Sequence, residues 1–140
     1  MSQANRRQAR EQAFALLFEL SFHPDSTLQD MRTIYDDEQE PPALDEFALA
    51  LVQCVEENMQ ALDEEIAGRL RGWKLNRISR ATHAILRLAV CEMHHFDDIP
   101  VGATINEAVE LAKLYAEDEA PKFINGLLGA IARQEPGSEP

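Results

Sequence analysis

The chain is poor in the residues from which most catalytic and metal sites are built. It has only two cysteines, Cys54 and Cys91, in 140 residues. They make no CxxC or zinc-ligand spacing, so they read as small buried hydrophobes and not as a redox or metal pair. His94 and His95 follow Cys91 and Glu92, but neighbouring histidines point apart on a helix, and a Cys91/His94 pair lacks two further zinc ligands. No glycine-rich phosphate loop, Walker motif or Ser/His/Asp grouping occurs. Catalysis is not expected, and neither is a cofactor or a metal ion. Long apolar runs are also missing, since no window approaches the about 18–20 residues of a membrane span. Arg6-Arg7 ahead of Ala13–Phe18 imitates a secretory signal. However, Glu11 and Glu19 bracket that run and no small-residue cleavage site follows. A cytoplasmic location is the expectation.

Positive charge is the other scarcity, and its distribution is informative. Thirteen Lys and Arg stand against 25 Asp and Glu, for a net charge of −12. By segment the balance is +1 over residues 1–24, −12 over 25–66, +5 over 67–95 and −6 over 96–140. Nine of the thirteen cations fall in two clusters: Arg6, Arg7 and Arg10, then Arg69, Arg71, Lys74, Arg77, Arg80 and Arg87. Segregation of this kind lets one face attract a polyanion while the rest of the protein stays acidic.

Apolar periodicity is helical throughout, and no segment alternates as a strand would. Helices are expected over 4–21, weakly over 27–35, and over 43–59, 61–71, 77–95, 104–114 and 118–133. The result is an all-α fold of about seven helices. Asp36–Pro42 reads as a loop, because a charge run followed by two prolines disfavours helix. Thr104-Ile-Asn-Glu107 has the form of a capping box, although a start just after Pro100 is also open. Pro121 is tolerable only in the first turn of the last helix. Residues 1–134 read as one domain, and 135–140 as a disordered tail.

On the first helix, Arg7, Arg10, Phe14 and Phe18 share a flank beside the Ala9/Leu16/Leu20 stripe. Arginines interleaved with rings suit single-stranded RNA, since guanidinium groups hold phosphates and rings stack on unpaired bases. Phe14 reads as core. Phe18 is open between core and RNA contact. Arg77, Arg80 and Arg87 share one face of a later helix, which can bind phosphate, lie solvated or pair with the acidic segment. Arg87 reads as a structural ion-pair residue, with Glu107 or Glu110 as candidate partners. Trp73 reads as a packing anchor. Phe123, beside Lys122, repeats the pairing of a cation with an edge aromatic.

Together these segments carry a family pattern. Arg6-Arg7-Gln8-Ala9-Arg10-Glu11, Trp73-Lys-Leu-Asn-Arg77-Ile-Ser, Ile85-Leu-Arg87-Leu-Ala89-Val-Cys-Glu92, Ile99-Pro100, Ile105-Asn-Glu107-Ala-Val-Glu-Leu-Ala-Lys113 and Lys122-Phe-Ile-Asn125-Gly126-Leu-Leu resemble the NusB family of bacterial transcription antitermination factors. The match runs in order over residues 6–133.

The resemblance implies two small helical bundles, about 4–60 and 61–134, and no enzymatic activity. It also implies binding of boxA RNA in nascent transcripts together with NusE, a small-subunit ribosomal protein, within the RNA polymerase antitermination complex. Read-through, notably of ribosomal RNA operons, would follow. RNA contacts are then expected at Arg6, Arg7, Arg10, Phe18, Arg77, Arg80, Lys122 and Phe123, and partner contacts at Thr82 and Arg80. Trp73, Arg87, Asn106, Glu107, Asn125 and Gly126 read as structural, with Asn106, Asn125 and Gly126 setting close packing and buried hydrogen bonds.

Three departures stand out: Gln8 breaks the arginine run, Phe18 replaces a frequent Tyr, and Thr82 stands where relatives commonly carry an acid. Two rival readings stay open. One is an accessory module like those fused to RNA cytosine methyltransferases. The other is an interaction protein, including a homodimer, without direct RNA binding.

Overall fold

The apolar stripe of the first segment forms helix α1, Gln3–Leu20. Ala9, Ala13, Leu16 and Leu17 along it are all buried. The small residues let a neighbouring backbone approach, and the leucines fill the space between. The helix stops where Ser21 turns its hydroxyl back to the Phe18 carbonyl at 2.5 Å, satisfying one of the acceptors that a helix end leaves open. This computed structural model describes residues 3–23, 26, 30, 45–70 and 77–133. The expected weak helix at 27–35 (apart from Asp30, which is helical), the loop Asp36–Pro42, Trp73 and the tail 135–140 lie outside the described residues.

Helix α2 spans Glu46–Ala67. Asp45 caps it, its Oδ1 accepting the Phe47 amide at 2.8 Å. Two helices were expected here, divided near residue 60, and the span is interrupted close to that point, its backbone leaving helical geometry at Asn58 (φ −119°, ψ 15°). Asparagine suits that position because its side chain competes for backbone hydrogen bonds. The chain divides at this point into two compact units, Met1–Glu57 and Asn58–Pro140.

Three further helices follow, α3 (Arg80–His95), α4 (Val101–Tyr115) and α5 (Ala120–Ala132), and they pack on one another in the second unit. Ser79 caps α3 by accepting the Thr82 amide at 3.0 Å. The strongest stripe of the sequence is its buried face, with Ile85 and Leu86 fully enclosed. Burial of a side chain of that size contributes about 2 kcal/mol.

Helix α4 begins directly after Pro100, so Thr104 lies inside the helix and does not cap it. The T-x-x-E pattern has a different use. Thr104 donates its hydroxyl to Glu92 Oε1 on α3 at 2.7 Å, and both residues are 2% exposed. Helix α5 carries Pro121 in its first turn, as its missing N–H requires, and buries Ile124, Leu127, Leu128 and Ile131.

The described residues thus form five helices and no strand. About seven were expected and five are counted: the expected 43–59 and 61–71 together make the kinked α2, and 27–35, but for helical Asp30, falls outside the described residues. No helix among the described residues is long and apolar enough to cross a membrane.

Candidate nucleic-acid interface

The first arginine cluster occupies the first two turns of α1, and its members sit in different environments. Arg7 is exposed and Arg6 is half-buried. Arg10 is only 6% exposed. Phe47, at the start of α2, has its ring beneath two guanidinium groups. Arg6 Cζ stands 5.0 Å from the ring centroid and Arg10 Cζ 5.4 Å. These are cation–π distances. Arg6 and Arg10 are one turn apart and so meet the same ring, while Arg7 is rotated about 100° round the helix. Gln12 reinforces the contact from α1, its Oε1 accepting the Asp45 amide at 3.0 Å. Asp45 in turn caps the turn that carries Phe47.

Beyond the arginines the same flank becomes aromatic. Phe14 and Phe18 stack with centroids 5.5 Å apart and planes at 14°. Phe18 meets Phe22 edge-on at 5.1 Å and 88°. Exposure rises along this ladder, from 4% at Phe14, through half-buried Phe18, to 51% at Phe22. Phe14 is core, as its position suggested. Neither Phe22 nor Phe47 was singled out from the sequence. Phe22 continues the spacing of four set by Arg10, Phe14 and Phe18, but it lies just past the helix end. Phe47 was visible only as an apolar residue of its own helix.

In the second unit, Arg77 and Arg80 are exposed around the start of α3. Arg71 and Lys74 lie outside the described residues. Arg87 is engaged differently. Its Nε and NH2 groups donate to Asp63 Oδ1 and Oδ2 at 2.9 and 2.7 Å, a two-pronged pair with α2. His83 Nε2 lies 2.8 Å from the same Oδ1. Burial alone pushes the Asp63 carboxyl up, but the hydrogen bonds and charges of His83 and Arg87 together outweigh it. They hold the group well below the usual carboxylate range. The sequence reading sought an acid for Arg87 on the following helix, whereas the structure supplies one from the preceding helix.

Thr82 is 1% exposed, so its side chain offers no accessible surface. Its hydroxyl instead donates to the Glu117 carboxylate, 3.3 Å from Oε1 and 3.4 Å from Oε2. Ser79 Oγ donates to Glu117 Oε1 at 2.8 Å. Two hydroxyls at the head of α3 thereby orient one exposed carboxylate from the α4–α5 connection.

On α5, Lys122, Asn125 and Gly126 are exposed, Phe123 is half-buried, and Asn106 on α4 is exposed. A Cβ added to Gly126 would meet nothing within 4 Å. The close packing and buried hydrogen bonds expected of Asn106, Asn125 and Gly126 are therefore replaced by an outward-facing position. On α5 the reason is geometric, because Lys122, Asn125 and Gly126 are spaced three and four apart on the face away from the Ile124/Leu128/Ile131 stripe. Glu107 is 3% exposed, inside the second unit.

The arrangement offers guanidinium groups and graded aromatic exposure on one helix flank, with exposed cations on the second unit. Comparison with known proteins shows what the whole chain is similar to. Residues 7–133 match the profile of the NusB family. The transcription antitermination protein NusB of Carboxydothermus hydrogenoformans is 43% identical over 133 residues, covering 91% of this chain and 92% of its own. Among solved structures, T. maritima NusB superposes with a TM-score of 0.82 at 34% identity, covering 92% of this chain and 91% of that one. A crystal structure of antitermination factors NusB and NusE in complex with dsRNA gives a TM-score of 0.75 at 24% identity, covering 95% and 99%. At that identity the likeness is one of fold.

Proposed function

This chain belongs to the NusB family, and we propose that it binds boxA RNA of nascent transcripts together with NusE, as a transcription antitermination factor without catalytic activity. Read-through of terminators, notably in ribosomal RNA operons, is the outcome of that assembly. The observation that carries the reading is identity of 43% with a named antitermination protein over nearly the full length of both chains. The relative solved with NusE and dsRNA supports the choice of partners through its shared fold. A cytoplasmic location and two small helical bundles belong to the same reading.

At residue level, Arg7 and Arg6 are the foremost RNA contacts of the first unit, with Arg10 acting from beneath them and Phe18 as a stacking ring. On the second unit, Arg77, Arg80, Lys122 and Phe123 are the candidate contacts. Arg80 also serves the protein partner. Thr82, being enclosed, serves that partner through Glu117.

The test is a titration of boxA RNA at two salt concentrations, with and without NusE. Affinity rises with NusE and falls with salt. For Arg7→Ala the slope of log K against log salt becomes shallower by about 0.7, the value of one phosphate contact on a single strand. Failure to bind NusE overturns the function, and a salt slope indifferent to Arg7 overturns the site.

A further inference from the structure

We propose that Phe47 is a positioning residue for RNA recognition, an inference that rests on the RNA-binding reading of the α1 arginines. Its ring lies under the guanidinium groups of both Arg6 and Arg10, at 5.0 and 5.4 Å. An arginine stacks by the flat face of its guanidinium, and its N–H donors lie in the plane, at the edge. Ring contact and phosphate contact therefore use different parts of the same group. A side chain already ordered on the ring loses less freedom when it meets a phosphate, and that saving appears as affinity.

The geometry around Phe47 fits this role better than that of a plain core residue. Phe47 is 8% exposed, and its backbone is fixed from two directions. Its amide is held by Asp45 Oδ1 at 2.8 Å, and the Asp45 amide is held by Gln12 of α1 at 3.0 Å. The ring is thus locked to the same helix whose arginines it orders. Arg10, nearly enclosed, is the anchor of the pair. Half-buried Arg6 is the member presented, and Arg7 stands exposed beside it. Aromatic character, and not merely apolar volume, is what the two cations require, since the attraction comes from the negative face of the ring.

Two replacements separate ring electronics from packing: Phe47→Leu, and pentafluorophenylalanine incorporated at position 47. The fluorinated ring keeps shape and apolar character but reverses the charge distribution of its face. Each is titrated with boxA RNA and NusE across a salt series, alongside the wild type and Arg7→Ala. Loss of pre-ordering lowers affinity roughly two- to tenfold for each arginine released. Both Phe47 variants are expected to bind about tenfold more weakly. Their salt slope stays that of the wild type, because no charge is removed, whereas Arg7→Ala flattens it. Should Phe47→Leu fail to fold, the fluorinated protein decides alone.

Wild-type affinity in the fluorinated protein overturns the proposal while leaving the RNA-binding reading intact. So does a flattened slope in that protein, which would make the ring's effect one of lost contacts. Absence of salt-sensitive binding by the wild type itself overturns the reading beneath it, and the proposal with it.

Discussion

Replacing Asp63 with Asn tests the electrostatic joint between α2 and α3. The carboxylate receives three hydrogen bonds, two from Arg87 at 2.9 and 2.7 Å and one from His83 at 2.8 Å. Side-chain exposure is 23% for Asp63, 20% for Arg87 and 19% for His83. An exposed pair contributes at most about 1 kcal/mol, and breaking a buried one costs about 3–5 kcal/mol. A site one-fifth exposed falls between, so Asp63→Asn costs about 2 kcal/mol. With a urea m-value of about 1.5 kcal/mol/M, the unfolding midpoint drops by about 1.3 M.

The pH dependence gives this prediction its sharper edge. Asp63 is held below the ordinary carboxylate range when folded. Its stabilisation is therefore complete above the unfolded value of about 3.9 and is lost as pH falls through the folded value. The gap between wild type and variant should persist down to about pH 5 and close in stronger acid, as the carboxylate is protonated. Equal midpoints at neutral pH, or a gap undiminished in strong acid, refute the reasoning. Adding Arg87→Met to the variant should cost less than the sum of the single changes, because both remove one shared contact.

Two other sites give independent checks. Thr104→Val keeps volume but removes the donor to Glu92 in a site where both residues are 2% exposed. A loss of about 2 kcal/mol is expected, seen calorimetrically as a melting point lower by about 7 °C, and an unchanged melting point would contradict it. Phe22→Ala removes a ring that is 51% exposed, so stability should move by less than about 0.5 kcal/mol. Binding of single-stranded RNA should nevertheless weaken by about 1–3 kcal/mol if a base stacks there, and unaltered binding removes Phe22 from the interface.

Helices α3 and α5 were legible in the sequence because their apolar residues recur every three or four positions without interruption. The kink in α2 was legible too, because the expected boundary between 59 and 61 lies beside Asn58, where the backbone leaves helical geometry. Thr104 misled, since a motif read locally as a cap was spent on a neighbouring helix. Within the site, charge suggested exposure, and Arg7 matches that pattern. Arg10 does not, being buried, with an aromatic ring 37 positions further along the chain beneath its guanidinium group. The Asp63 partner of Arg87 was hidden in the same way, 24 residues upstream. Contacts of such separation depend on tertiary structure, and no local pattern announces them.

The boundary at Asn58 has a consequence for dissection. Domains are usually parted at a flexible linker, where a cut leaves both halves whole. Here the division falls at the kink of the helical span Glu46–Ala67, with buried Leu51, Val52 and Val55 before it and Leu62 and Ile66 after it. Cutting there would give each fragment a raw helix end with up to four unsatisfied amides or carbonyls. A useful fragment of either unit would therefore need a new cap built at the cut.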